Sequence, residues 1–171
     1  MKMTIEKLPR HESQRGYFAY ELHEQMEANK DIYVLTGDLG FGMLDRIRDD
    51  FRDRFVNCGA SEQAMMGMAV GLALEGKIPI VYSITPFLLY RPFETIRNYI
   101  NHEQIAVKLV GGGRDKDYTH DGFSHWAEEA SQVLSVLPNI TQMWPETKED
   151  VIELTRVMLY NGQPSFLSLK R

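Results

Sequence analysis

The chain has 171 residues, 43% of them hydrophobic, a formal net charge of −5 and an isoelectric point near 5.5. That length is one globular domain, able to bury roughly two-thirds of its unfolded surface. The acidic balance, with no run of Lys or Arg longer than two residues, excludes a basic field for nucleic acid and leaves a protein that binds small molecules or other proteins.

Residues 1–12 are charged and lack a long apolar core, so they read as an N-terminal extension and not as an export signal; no apolar run approaches the roughly 18 residues a membrane span needs. From Ser13 to Asn29, Phe18, Ala19, Leu22 and Met26 recur at helical spacing, with Ser13 placed to cap. Ile32 to Thr36 is an unbroken apolar, β-branched run closed by Gly37, the pattern of a strand buried on both faces of a parallel sheet. The alternation continues: Phe55 to Cys58 (strand), Glu62 to Leu74 (helix), Ile78 to Ile84 (strand), Leu88 to His102 (helix), Ile105 to Val110 (strand). It ends with Trp126 to Val136 (helix), Ile140 to Met143 (strand), Glu149 to Tyr160 (helix) and Ser165 to Leu169 (strand). Cys58 is the only cysteine, which rules out an internal disulfide and suits a reducing cytoplasm. Six strands alternating with helices predict a single α/β domain over residues 1–171: a doubly wound, mainly parallel sheet with helices on both faces.

In such sheets ligands sit beyond the carboxyl ends of the strands, which directs attention to the segments from Gly37 to Met43, Gly59 to Gln63, Thr85 to Tyr90 and Gly111 to Ser124. Ser61 is placed to cap a helix, and Glu62 falls in its first turn. On spacing alone that carboxylate is a favourable charge at the positive end of a helix, worth roughly 0.3–1 kcal/mol. Phe87, Tyr90 and Phe93, three apart, fit core packing as well as a ligand wall. Gly111-Gly112-Gly113 fits a flexible turn as well as a phosphate cradle. Arg15, Arg91 and Arg171 fit solvated surface as well as anion contacts.

The stretch NCGASEQAMMGMAVGLALEGKIPIVYSITPFLLYRPFETIRN resembles the pyrimidine-binding domain of the transketolase family, and the resemblance extends over residues 13 to 171. It shares a strand ending in Gly, a Glu opening a Gly- and Ala-rich helix, and a strand leading into an aromatic Phe-Leu segment. The resemblance implies the thiamine-diphosphate-binding fold and thiamine diphosphate as cofactor, its aminopyrimidine end on this chain. Glu62 is then the carboxyl that hydrogen-bonds ring nitrogen N1′ and favours the imino form of the neighbouring amine, the base of the reaction. Phe87 and Tyr90, with Phe93 beside them, become the aromatics that sandwich the ring. Asp121-Gly122-Phe123-Ser124-His125 resembles the family's substrate segment, so Asp121 meets a donor hydroxyl and His125 the substrate oxygens, with His125 also able to carry protons near neutrality. Arg15, Arg91 and Arg171 fall near the family's anion-binding positions. Leu39 falls where the family lines the thiazolium end, and Asp38 serves a subunit contact or simply forms a turn.

Members of the family hold the diphosphate through a divalent metal marked by Gly-Asp-Gly and a downstream Asn, a pattern this sequence does not contain. The resemblance therefore implies a separate diphosphate-binding subunit that supplies Mg2+ or Ca2+, two copies of each chain assembling around shared sites. It also implies that the family's C-terminal domain is not part of this chain. Phe41 stands where the usual enzyme has a small polar residue near the acceptor's phosphate, and the glycine triplet replaces another polar contact, which points to a sugar without the standard phosphate. The expected reaction moves a two-carbon ketol unit from a ketose to an aldose. The alternatives are the small subunit of a thiamine-diphosphate-dependent 2-oxo acid decarboxylase, against which the Asp121 to His125 run argues, and a non-catalytic scaffold.

Overall fold

The computed structural model describes residues 12–171; all but the last residue of the expected 1–12 extension lies outside the described residues. Six strands form one sheet: β1 (Ile32–Thr36), β2 (Phe55–Asn57), β3 (Ile78–Ile84), β4 (Lys108–Gly112), β5 (Thr141–Met143) and β6 (Ser165–Leu169). Their order is β2-β1-β3-β4-β6-β5, and every pairing is parallel.

The register explains the unbroken apolar runs. Leu35 aligns with Val81, Val81 with Leu109 and Leu109 with Phe166, a row of fully buried side chains that enters one core. One residue along, Tyr82, Val110 and Leu167 make the matching row of the second core. Successive side chains in a strand point to opposite faces, so strands that feed two cores must be apolar throughout. The first core is covered by α3 (Glu62–Leu74), α4 (Thr85–Tyr90) and α6 (Ala130–Ser135), the second by α1 (Gln14–Ala28), α2 (Asp45–Asp50) and α7 (Lys148–Tyr160).

Helix α1 begins as expected, with the Ser13 hydroxyl accepting from the Gly16 amide, and α7 begins with a reciprocal cap between Thr147 and Asp150. The two helices are pinned to each other by Arg156, which donates to buried Glu21 at 2.6 Å.

The expected helix from Leu88 to His102 is broken. Pro92 has no amide hydrogen to donate backwards, so α4 ends at Tyr90. A short α5 (Phe93–Thr95) then runs into a π-helical segment, Ile96–His102. Ser61 makes no side-chain cap on α3; its amide instead donates to the Gly59 carbonyl at 2.8 Å. This tight turn depends on the left-handed φ of +64° at Gly59, which L side chains rarely adopt. The strand expected from Ile105 to Val110 begins at Lys108 and extends to Gly112, drawing Gly111 and Gly112 into the sheet opposite Ser83 and Ile84. A side chain at either position would collide, since a Cβ would lie 2.5 Å from the Thr85 hydroxyl or 2.7 Å from the Tyr82 hydroxyl. Gly111 and Gly112 are thus sheet, and Gly113 follows the strand with a left-handed φ of +87°. The helix expected from Trp126 starts only at Ala130, and α2 was too short to register as a periodic pattern.

Candidate active site

The chain leaves β1 toward β2 on one side and returns to β3 on the other. The crevice at the carboxyl ends of β1 and β3 is therefore the place where the winding reverses and loops splay apart. Helix α3, which carries the chain from β2 to β3, opens onto it with Glu62. The Glu62 side chain is only 2% exposed, and its Oε1 lies against the end of β1, 3.5 Å from where a Cβ on Gly37 would stand. Such burial of a carboxylate requires a compensating partner. That partner is Arg91: one of its terminal nitrogens donates to both carboxylate oxygens at 2.8 Å.

Phe87 lies on α4, which is tethered at its start by the Thr85 hydroxyl donating to the Gly113 carbonyl at 2.6 Å. Its half-buried ring takes the Arg91 guanidinium on its face, 3.8 Å from the centroid, and the His125 ring edge-on at 4.8 Å. Four of the residues singled out in the sequence (Glu62, Phe87, Arg91 and His125) thus form one contiguous group. Arg91, expected to meet a substrate anion, instead meets the carboxylate. Tyr90 points elsewhere: burial, helped by the Glu129 carboxylate, pushes its phenol up to about 12. Phe93 lies beyond the Pro92 break and packs against the first core. The three aromatics therefore do not make a single wall.

A second group surrounds a cavity of about 220 Å³, lined by Arg15, Leu39, Phe41, Tyr82 and Tyr118 among others. Arg15 donates to the Tyr118 hydroxyl at 3.0 Å, while its Nε is buried without a partner. The Arg171 guanidinium lies 5.2 Å over the Tyr118 ring. Burial pushes the Tyr82 phenol far above its ordinary range, so it remains a neutral wall. Phe41 is 71% exposed at the rim. Leu39 is held by the Thr36 hydroxyl, which donates to its carbonyl. Asp38 adopts a left-handed backbone, exchanges hydrogen bonds with Asn57 and is exposed, as a turn residue would be. His125 links the two groups, its ring 6.2 Å from that of Tyr118. Asp121 is exposed in a 3₁₀ turn, Thr119–Asp121, just before it.

Sequence reasoning missed Tyr82, Tyr118 and Arg114. An aromatic near the carboxyl end of β3, and another three residues before Asp121, were the available signals. Arg114, directly after the glycines, is buried and donates to Ser168, Pro145 and Glu146, tying the end of β4 to β6 and to the segment after β5.

A buried carboxylate and an aromatic face, both already engaged by one planar cation, offer the acceptor and the stacking surface for a flat, protonatable heterocycle. A carboxylate can accept a ring N–H and an aromatic face can stack such a ring.

Residues 13–171 match the family described as transketolase, pyrimidine binding domain. A Methanocaldococcus jannaschii protein provisionally named a transketolase C-terminal section is 30% identical over 143 residues, covering 83% of this chain and 45% of that protein. One subunit of the apulose-4-phosphate transketolase of Phocaeicola vulgatus is 26% identical, covering 92% of this chain and 51% of that subunit. A solved chain described as split gene transketolase, inactive beta4 tetramer, superposes with a TM-score of 0.82 at 29% identity, covering 93% of this chain and 51% of that one. The chain spans about half the length of these relatives.

Proposed function

The chain belongs to the transketolase pyrimidine-binding domain family, and on that premise we propose that it is one subunit of an enzyme that moves a two-carbon ketol unit from a ketose to an aldose. The family implies dependence on thiamine diphosphate, which when bound supplies the thiazolium carbon that carries the transferred unit. The single observation that carries the reading is the Glu62 carboxylate, 2% exposed and joined through Arg91 to the Phe87 face.

On this reading, residues 13–171 form one pyrimidine-binding domain that holds the aminopyrimidine end. Glu62 accepts the hydrogen bond of ring nitrogen N1′, and Phe87 stacks the ring, with Tyr90 at the end of α4 and Phe93 at the start of α5 as the flanking aromatics. Leu39 and Asp38 border the thiazolium end. Asp121 and His125 bind the donor's hydroxyl and carbonyl oxygens, and His125 can carry a proton between them. Arg15 and Arg171 face the anionic or polar tail of a sugar or sugar phosphate.

The diphosphate, with its Mg2+ or Ca2+, falls to a separate subunit, in an assembly of two copies of each chain. Two features support a partner. Relatives of this chain are named as sections or subunits. Helix α3 also exposes an apolar face of Ala64, Gly67, Met68, Gly71 and Leu74, with Leu74 69% exposed, the kind of face that packs against another chain. The same names favour ketol transfer over 2-oxo acid decarboxylation. Among the described residues no helix is long and apolar enough to cross a membrane; a cytoplasmic setting suits the single cysteine.

The test is to co-purify this chain with a chain bearing the Gly-Asp-Gly motif, add thiamine diphosphate and Mg2+, and assay ketoses against aldehydes. Ketol transfer that collapses in Glu62→Gln is the expected result. Native turnover by the Glu62→Gln pair would end the reading.

A further inference from the structure

Arg91 already makes the two contacts that an aminopyrimidine ring would need. Its terminal nitrogen sits 2.8 Å from both Glu62 oxygens, and its guanidinium carbon lies 3.8 Å over the Phe87 centroid. That separation is the thickness of a stacked ring, so the space on this face of Phe87 is filled. One flat group can occupy the position, not two.

We propose that Arg91 is an internal occupant of the aminopyrimidine site, compensating the buried Glu62 carboxylate in the cofactor-free chain, and that cofactor binding displaces it into solvent. The inference rests on the assignment of Glu62 and Phe87 to the aminopyrimidine. Two features of the local structure make the exchange feasible. The Arg91 side chain is 45% exposed while that of Glu62 is 2% exposed, so the arginine reaches water by rotating its own bonds and the carboxylate cannot. Arg91 also sits between the end of α4 and Pro92, where no regular helix hydrogen bond has to break as the side chain swings.

The exchange has a physical rationale. A carboxylate removed from water needs a cation or a donor at every stage. Arg91 supplies it before loading, and the ring nitrogen's proton supplies it afterwards. An arginine that stayed on Glu62 would keep both carboxylate oxygens engaged and obstruct their contact with N1′. The apparent affinity for the ring is then the intrinsic affinity reduced by the fraction of molecules in which Arg91 has swung away.

The proposal is tested on the full chain with 4-amino-5-hydroxymethyl-2-methylpyrimidine, which presents the ring without the diphosphate and so needs no partner subunit. Binding is followed by titration calorimetry and by the guanidinium N–H resonances of Arg91. Arg91→Met is expected to bind the pyrimidine about three- to tenfold more tightly than the native chain. In the native chain the Arg91 resonance should move toward that of a solvated arginine as the pyrimidine is added. Equal or weaker binding by Arg91→Met overturns the proposal, as does an Arg91 resonance that is unmoved at saturation. Glu62→Ala separates the two levels of inference. If it binds the pyrimidine as the native chain does, the site assignment fails and the exchange with it; if it loses binding, an unaltered Arg91→Met affinity counts against the exchange alone.

Discussion

Arg15, at the start of α1, donates a 3.0 Å hydrogen bond to the hydroxyl of Tyr118, 103 residues further along the chain. The contact holds a guanidinium at the wall of the 220 Å³ cavity, with Arg171 over the same tyrosine ring. If this is where an acceptor's anionic tail lies, Arg15→Met in the assembled enzyme should raise KM for a phosphorylated aldose about ten- to hundredfold, the worth of one charge-assisted hydrogen bond. The value for the matching unphosphorylated aldehyde should hardly change. Steady-state kinetics on the two acceptors decide it, and an equal loss on both removes Arg15 from anion recognition.

Glu62→Gln keeps the shape of the side chain and its hydrogen-bonding reach but cannot share a proton with a ring nitrogen. Activity of the assembled pair should fall by about a hundredfold or more. The fold should survive, because losing a buried charge offsets the loss of its partner and Arg91 is free to turn to solvent. Circular dichroism melts alongside turnover numbers test both halves, and a variant that melts far below the native chain would make the activity loss structural.

Gly111→Ala introduces a methyl group 2.5 Å from the Thr85 hydroxyl and 3.1 Å from the Phe166 ring. It also threatens the hydrogen bond from Thr85 to Gly113 that anchors α4. Overpacking of this kind costs about 1–3 kcal/mol, to be read as a lower urea midpoint at constant slope. An unchanged midpoint would mean that α4 shifts at no cost.

Lys108 tests the sign of a buried amine. It is the first residue of β4, and its ammonium donates to the Asn161 side chain and the Gln163 carbonyl. Burial pushes its pKa down to about 8, below the roughly 10.4 of an unfolded lysine. Between these values the unfolded chain binds more protons than the folded one, so this site's contribution to stability rises with pH across that window. The contribution is lowest below pH 8, where both states carry the charge. The unfolding free energy of the native chain minus that of Lys108→Met should therefore increase from pH 8 to pH 10. A difference that stays flat or falls contradicts the assignment.

Much of the architecture was legible because parallel strands buried on both faces show as unbroken apolar runs. Ile32 to Thr36, Ile78 to Ile84 and Ser165 to Leu169 appear in the structure with those bounds, as does α3 from Glu62 to Leu74. The shift of β4 was not legible, because the alignment of Gly112 with Ile84 is a matter of register with another strand. The split of the helix after Tyr90 had a visible cause in Pro92, but helical spacing across it masked the break.

By itself the sequence determined the alternation of strands and helices, the acidic residue that opens α3 and the aromatic that follows β3, since each depends on neighbours a few positions away. Only the tertiary structure decided which arginine meets which side chain. Arg91 and Glu62 are 29 positions apart, and Arg15 and Tyr118 are 103. Such pairs are formed when strand order closes loops, at an entropic cost that depends on length and not on residue type. A long, flexible cation carries no local pattern that announces whether it will face solvent, a substrate or a buried carboxylate.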